Sequence, residues 1–402
     1  MLHVHFGAGR LGLGLVVPFF QSPNSEVYIL NRKISGTKPT GSTVVSSSRR
    51  NELLRDNPDK IYVIREPGNS DSGGTLVRYD GFFEYDDESV VTVIQSILNR
   101  SSRKQEGVIV TGAVLSIGSY GAILQALKHL ADLSEQHSIG PLFLVACENT
   151  VSAHDVFEAP ELCELICGSI RQGVTCVHAL VDRVCVGLEE DGSGSHPTVL
   201  VRAETYGSLK LELSPETEPL VQLLEGTRVE FSRHVATEKQ IKSWLLNGSH
   251  WLVALFAFQQ SHGDQNLKLN EFLHARPEHQ QYAARIMQEM RDGIAAILHR
   301  DPRYADFVRD VDADQYLDGA AKAILGRFLA NEDPITRILA RFRAPSAEAP
   351  TTIETFSKRL FDRVSEPITA YATNKGVAPP AATLGMQSLT RLIASRTFVG
   401  AA

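Results

Sequence analysis

Residues 5–15, HFGAGRLGLGL, place four glycines in eleven positions directly after the short run Leu2-His3-Val4-His5-Phe6. A chain that opens with a strand, a glycine turn and a helix has few folds open to it. Gly7-x-Gly9-x-x-Gly12 in that context predicts a dinucleotide-binding βα turn. Gly7 permits the tight turn, Gly9 lets a diphosphate approach the backbone amides, and Gly12 lets the helix pack closely on the strand. Ala8, Arg10 and Leu11 complete the turn, and the helix N-terminus faces the diphosphate.

The rest of the first half alternates strand-like and helix-like stretches: EVYILN, GVIVTGAVL, AILQALKHLADL and PLFLVACEN. Alternation of this kind predicts an α/β, Rossmann-like domain with a doubly wound, mostly parallel sheet. Residues 33–85 read as a polar insertion carrying a hairpin, with IYVIRE and TLVRYD on either side of PGNSDSGG. TVLVRAE, SLKLELS and RVEFSR are three further candidate strands. Beyond about residue 233 apolar residues recur every three or four positions, which predicts a mainly α-helical domain. The expected division is 1–232, dinucleotide-binding, and 233–402, helical and substrate-binding, in keeping with 402 residues.

A net charge of -7 offers no bulk attraction to nucleic acid or to an anionic membrane, which leaves a small molecule as the expected partner. No apolar run approaches the roughly 20 residues of a membrane span, and the N-terminus reads directly into a strand, so the expected location is cytoplasmic. The five cysteines (147, 163, 167, 176 and 185) lack zinc-hook spacing; packing is their expected role, and no metal site is predicted.

Where an NAD site usually places a carboxylate on the ribose hydroxyls, the second strand ends in Asn31-Arg32-Lys33. Asn31 does not repel a 2′-phosphate and Arg32 can pair with one, so NADP is the expected cofactor, with NAD the alternative. In KQIKSWLLNGSHWLVA, Lys242, Asn247 and His250 are spaced five and then three apart. On an α-helix Asn247 stands about 140° round from Lys242 and His250 about 80°, so the three can border one recess.

HFGAGRLGLG, ACEN at 146–149, VDRV at 181–184, Lys242-x4-Asn247-x2-His250 and ILGRFLANEDPITRI at 324–338 occur in the order found in the polyol-specific long-chain dehydrogenases, which the chain resembles over nearly its whole length. The resemblance implies a zinc-independent NAD(P) enzyme, monomeric or weakly dimeric, that interconverts a secondary alcohol of a polyol or polyol phosphate with its ketone. It implies Lys242 as general acid/base, Asn149 and Asn247 as holders of the carbonyl or alkoxide oxygen, and His250 as the residue placing a substrate hydroxyl. Glu148 and Asn149 would border the cofactor, and Asp182 would either meet substrate or be tied to Arg183. Lys239, off the motif, reads as a surface lysine; Arg327, Arg337 and Arg341 read as helix-surface charges rather than a grip on an anionic substrate. A sugar acid is the alternative substrate, and a catalytically silent dinucleotide sensor the alternative of another class.

Overall fold

β1 (Leu2–Phe6) is buried at every position, as a central strand of a parallel sheet must be. Its side chains alternate. Leu2, Val4 and Phe6 join the core beneath the helices Val90–Arg100 and Gly121–Glu135, while His3 and His5 point to the opposite face. The computed structural model describes residues 1–34, 46–66, 74–114, 116–149, 151–166, 168–192, 195–262, 264, 267–340 and 361–394. The chain divides into two units, Met1–Ala236 and Thr237–Ala402.

The strands of the first unit, in chain order, continue with β2 (Glu26–Arg32), β3 (Ile61–Arg65), β4 (Thr75–Arg78), β5 (Gly81–Tyr85), β6 (Val108–Gly112), β7 (Leu142–Ala146) and β8 (Val174–Val177). They end with β9 (Ala179–Asp182), β10 (Cys185–Asp191), β11 (Thr198–Ala203), β12 (Ser208–Glu212) and β13 (Glu230–Ser232). Six of them form one sheet in the order β5-β2-β1-β6-β7-β8, every pairing parallel. This is the doubly wound order. The strand sequence reverses between β1 and β6, and the crevice at the carboxyl ends there is where such sheets bind ligands.

The polar insertion expected at 33–85 is corrected by this topology. β3 and β4 do form an antiparallel hairpin, which joins β11 and β10 in a separate sheet, but β5, within the same stretch, is the edge strand of the parallel sheet, paired with β2. GFFEY is short, lies at the sheet edge with Phe83 and Glu84 only partly buried, and is bounded by acidic residues, so it carries no strong strand pattern. Residues 35–45 and 67–73, within that stretch, lie outside the described residues, as do Cys167 and Arg341. Cys163, expected to pack, is exposed, because its segment forms turns rather than a helix.

The second unit is helical. Its core gathers Trp244, Trp251, Leu245 and Leu252 against Ile286, Met290 and Ile294 of the helix Pro277–Arg300. Helices Leu269–Ala275, Ala305–Asp310, Ala313–Ala330, Ile335–Ala340, Glu366–Lys375 and Pro380–Ala394 also belong to it. Among the described residues no helix is long and apolar enough to cross a membrane, and no group of side chains has the makings of a metal site.

Candidate active site

The glycine turn shows why each glycine is needed. Gly7 has φ +110°, and a Cβ there would stand 2.5 Å from the carbonyl oxygen of Ala113. A Cβ on Gly12 would collide with the Gly7 carbonyl and the His5 ring. Gly9 differs from both: nothing lies within 4 Å of where its Cβ would be. The turn is tight where it touches protein and open at the position that a diphosphate approaches, so the donor set fits a dinucleotide. The helix it opens is not a plain α-helix, as Gly12–Val16 form a π turn before Val17–Phe20 resume α geometry.

Beneath the turn lies a polar relay that sequence reasoning missed. His5 Nε2 sits 2.9 Å from the Gly7 carbonyl, which only accepts, so Nε2 carries the proton. His5 Nδ1 therefore accepts from the Thr111 hydroxyl at 2.7 Å, and Thr111 Oγ1 accepts from His3 Nε2 at 2.8 Å. Both rings are fixed as neutral tautomers, and His3 Nδ1 is buried without a partner. Burial brings the His5 pKa down to about 4, against a smaller raising effect of the Gly7 carbonyl, and lowers that of His3 as well. A depressed histidine pKa means that the unfolded chain binds more protons between the two values. Stability is thus fully present above pH ~6.5 and is lost as pH falls toward about 4. Urea unfolding across that range should show this decline, and His5→Asn should flatten it; an equally steep decline in the variant would remove His5 as its source.

At the end of β2 the Asn31 side chain accepts a 3.3 Å hydrogen bond from the Ala8 amide and donates to Asn51 Oδ1 at 2.8 Å. Asn51, on the helix Ser47–Asp56, donates in turn to Glu84 at 2.8 Å. Arg32 is not the unengaged cation expected from the sequence: it pairs with Asp87 at 2.7 Å, and Lys33 pairs with Asp86 at 2.7 Å. Both pairs are exposed. Such pairs contribute about 0–1 kcal/mol, so a phosphate can still draw Arg32 away.

Glu148 and Asn149 follow β7 at the carboxyl edge of the sheet; Glu148 is buried and Asn149 exposed. Asp182 ends β9, half-buried. The pairing of Asp182 with Arg183 is corrected. The Arg183 guanidinium is 2% exposed and donates to the Gly14 carbonyl at 2.7 Å, the Glu204 carbonyl at 2.9 Å and Glu66 Oε1 at 2.9 Å. It ties the glycine helix to the ends of β3 and β11. Arg10, on the turn, reaches the Val186 carbonyl at 3.2 Å, and Leu11 is half-buried.

In the second unit Lys242, Asn247 and His250 lie on one continuous helical path, Val235–Gln260, but Ser243–Gly248 within it form a π turn. Bonds in a π turn link residues five apart, so Lys242 and Asn247 follow one another on one side instead of standing 140° apart. Lys242 and Asn247 are half-buried. Gly248 closes the turn where a Cβ would meet the Arg363 carbonyl at 2.5 Å. His250 is buried, stacks on Phe328 at 4.6 Å between ring centres, and places Nε2 3.7 Å from Asp333 Oδ2. Asp333 is itself buried and held bidentately by Arg337. Arg337 is therefore spent on Asp333 and is neither a solvated charge nor a substrate grip. Arg327 is half-buried. Lys239, expected at the surface, is half-buried too, because the helix start packs inward at Val235 and Glu238.

No family model and no curated protein sequence matches the chain. Solved structures do. A D-sorbitol dehydrogenase in substrate-free form superposes with a TM-score of 0.59 at 13% identity, over 96% of this chain and 79% of that one. Mannitol 2-dehydrogenase of Pseudomonas fluorescens, in a ternary complex with NAD and D-mannitol, gives a TM-score of 0.52 at 15% identity, over 96% of this chain and 83% of that one. The chain shares their fold.

Proposed function

We propose that the chain is an NAD(P)-dependent oxidoreductase that interconverts a secondary alcohol of a polyol or polyol phosphate with the corresponding ketose, the type of reaction carried out by mannitol-1-phosphate 5-dehydrogenase. The observation that carries this reading is the π turn between Lys242 and Asn247, on a helical path that also holds a histidine facing a buried carboxylate, in a chain whose first unit holds a dinucleotide-type glycine turn. The dinucleotide fold shared with two polyol dehydrogenases supports it.

A bound nicotinamide supplies or accepts hydride. The chain's own groups handle the proton and the oxygen. Lys242 Nζ takes the hydroxyl proton on oxidation and returns it on reduction. The amides of Asn247 and Asn149 donate to the oxygen as charge develops on it. His250, oriented by Phe328 and Asp333, receives or donates a hydrogen bond at a neighbouring substrate hydroxyl. Asp182 is a further substrate contact in this reading, and the turn that Gly7 and Gly12 shape would take the diphosphate at Gly9, with Glu148 beside the cofactor. NADP is preferred, since Asn31 stands where a ribose-binding carboxylate would repel the 2′-phosphate.

The test is a spectrophotometric screen of NADPH and NADH oxidation against ketoses, ketose phosphates and keto acids. Turnover with a ketose or ketose phosphate is expected; turnover with keto acids alone would replace the substrate class, and nucleotide binding with no turnover on any of them would leave a sensor. Activity found in the screen should survive exhaustive EDTA treatment, because the proposed donors to the oxygen are amides. Loss restored by zinc would assign the oxygen to a metal instead.

A further inference from the structure

The helix Ser47–Asp56 carries three arginines, and they are not equivalent. Arg49 is exposed and pairs with Glu190 at 2.7 Å and Glu52 at 3.2 Å. Arg55, also exposed, pairs with Asp56 and Glu84, both at 2.9 Å. Arg50 between them is the least exposed of the three, yet its guanidinium has no carboxylate and no hydrogen-bond acceptor among the described residues, and its Nε is enclosed without a partner. Burial without an anion also pulls its pKa below the ordinary arginine value. A guanidinium held at Nε among protein atoms, with no protein anion beside it and its Nη atoms reaching solvent, is placed to take an anion from outside.

The position of the helix says which anion. Leu53 and Leu54, three and four residues beyond Arg50 and so on its face of the helix, pack in one cluster with Ala8 and Leu13 of the glycine turn. Asn51, the next residue, is tied through Asn31 to the Ala8 amide. Arg50 thus stands on the helix clamped to the anion-binding turn.

We infer that Arg50 is a phosphate-binding residue of the dinucleotide site, supplying the cation to the 2′-phosphate or the diphosphate. The inference rests on the cofactor reading above, and it assigns to Arg50 the role that Arg32, engaged with Asp87, has in the sequence pattern.

The experiment measures binding, with no turnover needed. Calorimetric Kd values are taken for adenosine 2′,5′-bisphosphate, ADP and 5′-AMP, on wild type, Arg50→Met and Arg32→Met, with Tm recorded for each nucleotide-free protein. Arg50→Met is expected to weaken adenosine 2′,5′-bisphosphate or ADP roughly 10- to 100-fold relative to 5′-AMP, which lacks the added phosphate, the worth of a charge-assisted hydrogen bond. Loss confined to the bisphosphate assigns Arg50 to the 2′-phosphate, and loss confined to ADP assigns it to the diphosphate. The nucleotide-free Tm of Arg50→Met should be unchanged or higher, since no protein anion or acceptor loses a partner and the enclosed Nε is removed. A structural arginine behaves in the opposite way: a lower Tm with unchanged affinities overturns the inference, as does a greater loss in Arg32→Met than in Arg50→Met. If wild type binds none of the three nucleotides, the cofactor reading falls and this inference with it; if wild type binds and Arg50→Met binds equally well, only this inference falls.

Discussion

Lys242→Ala is expected to lower turnover by about 10²–10⁴, the usual worth of general acid–base catalysis. Methyl cannot accept the alcohol proton, and at this position nothing on the same side of the π turn replaces it: Asn247, the neighbour five residues on, is an amide without useful basicity. The loss should fall on kcat, with nucleotide Kd unchanged, because Lys242 belongs to the second unit and the glycine turn to the first. The limb of the pH–rate profile that reports the base should vanish with it. Lys239→Ala, one turn earlier and off the π turn, should remain close to wild type in kcat. Full turnover in Lys242→Ala, or a larger loss in Lys239→Ala, removes Lys242 from its role, and the roles of Asn149, Asn247 and His250 lose their support together.

Arg183→Ala should lower the unfolding free energy of the first unit by about 2–5 kcal/mol. Glu66 is 30% exposed and can be rehydrated, so little of the cost comes from that ion pair. Most comes from the Gly14 and Glu204 carbonyls, each left buried without its donor at about 1–3 kcal/mol. Glu66→Gln should cost far less. The chain's two tryptophans, Trp244 and Trp251, both lie in the second unit, so indole fluorescence reports the other transition. Hydrogen exchange at β1 and β11, read in increasing urea, is the appropriate measurement. A decrease below about 1 kcal/mol would mean that water replaces the guanidinium at the two carbonyls and that the network is not a lock.

The parts of the fold that were readable in the sequence are those fixed by local sterics. Gly7 and Gly12 have no room for a side chain, and that requirement is written in the residue type itself. β6 and β7 are almost wholly apolar because they are buried on both faces. β5 escaped because an edge strand needs only part of that pattern. The candidate site was readable as residue types and spacing but not as geometry. A π turn has no composition of its own, so the angle between Lys242 and Asn247 could not be taken from their separation. Arg32 met Asp87 through the pairing of β2 with β5, a contact between residues far apart in the chain. The alternation of His3 and His5 with Leu2, Val4 and Phe6 reads as a half-exposed strand and so hid their buried polar task. Asp333 stood in a segment whose arginines drew the attention, and only burial shows that the carboxylate is what Arg337 serves. For Arg50 the informative fact is a missing partner, which no linear pattern records.

The two π turns, at Gly12–Val16 and Ser243–Gly248, have an evolutionary corollary. A π turn is what a helix becomes when it accommodates one surplus residue, so its reversal is a deletion and not a substitution. Removing Leu245 would let the path from Val235 to Gln260 close as an uninterrupted α-helix in which the lysine and the asparagine stand four apart and still share a side. Divergence in chains built this way is therefore expected to tolerate one kind of length change: a lineage can shed the surplus residue at the turn and keep the lysine and the amide on one side, one turn apart.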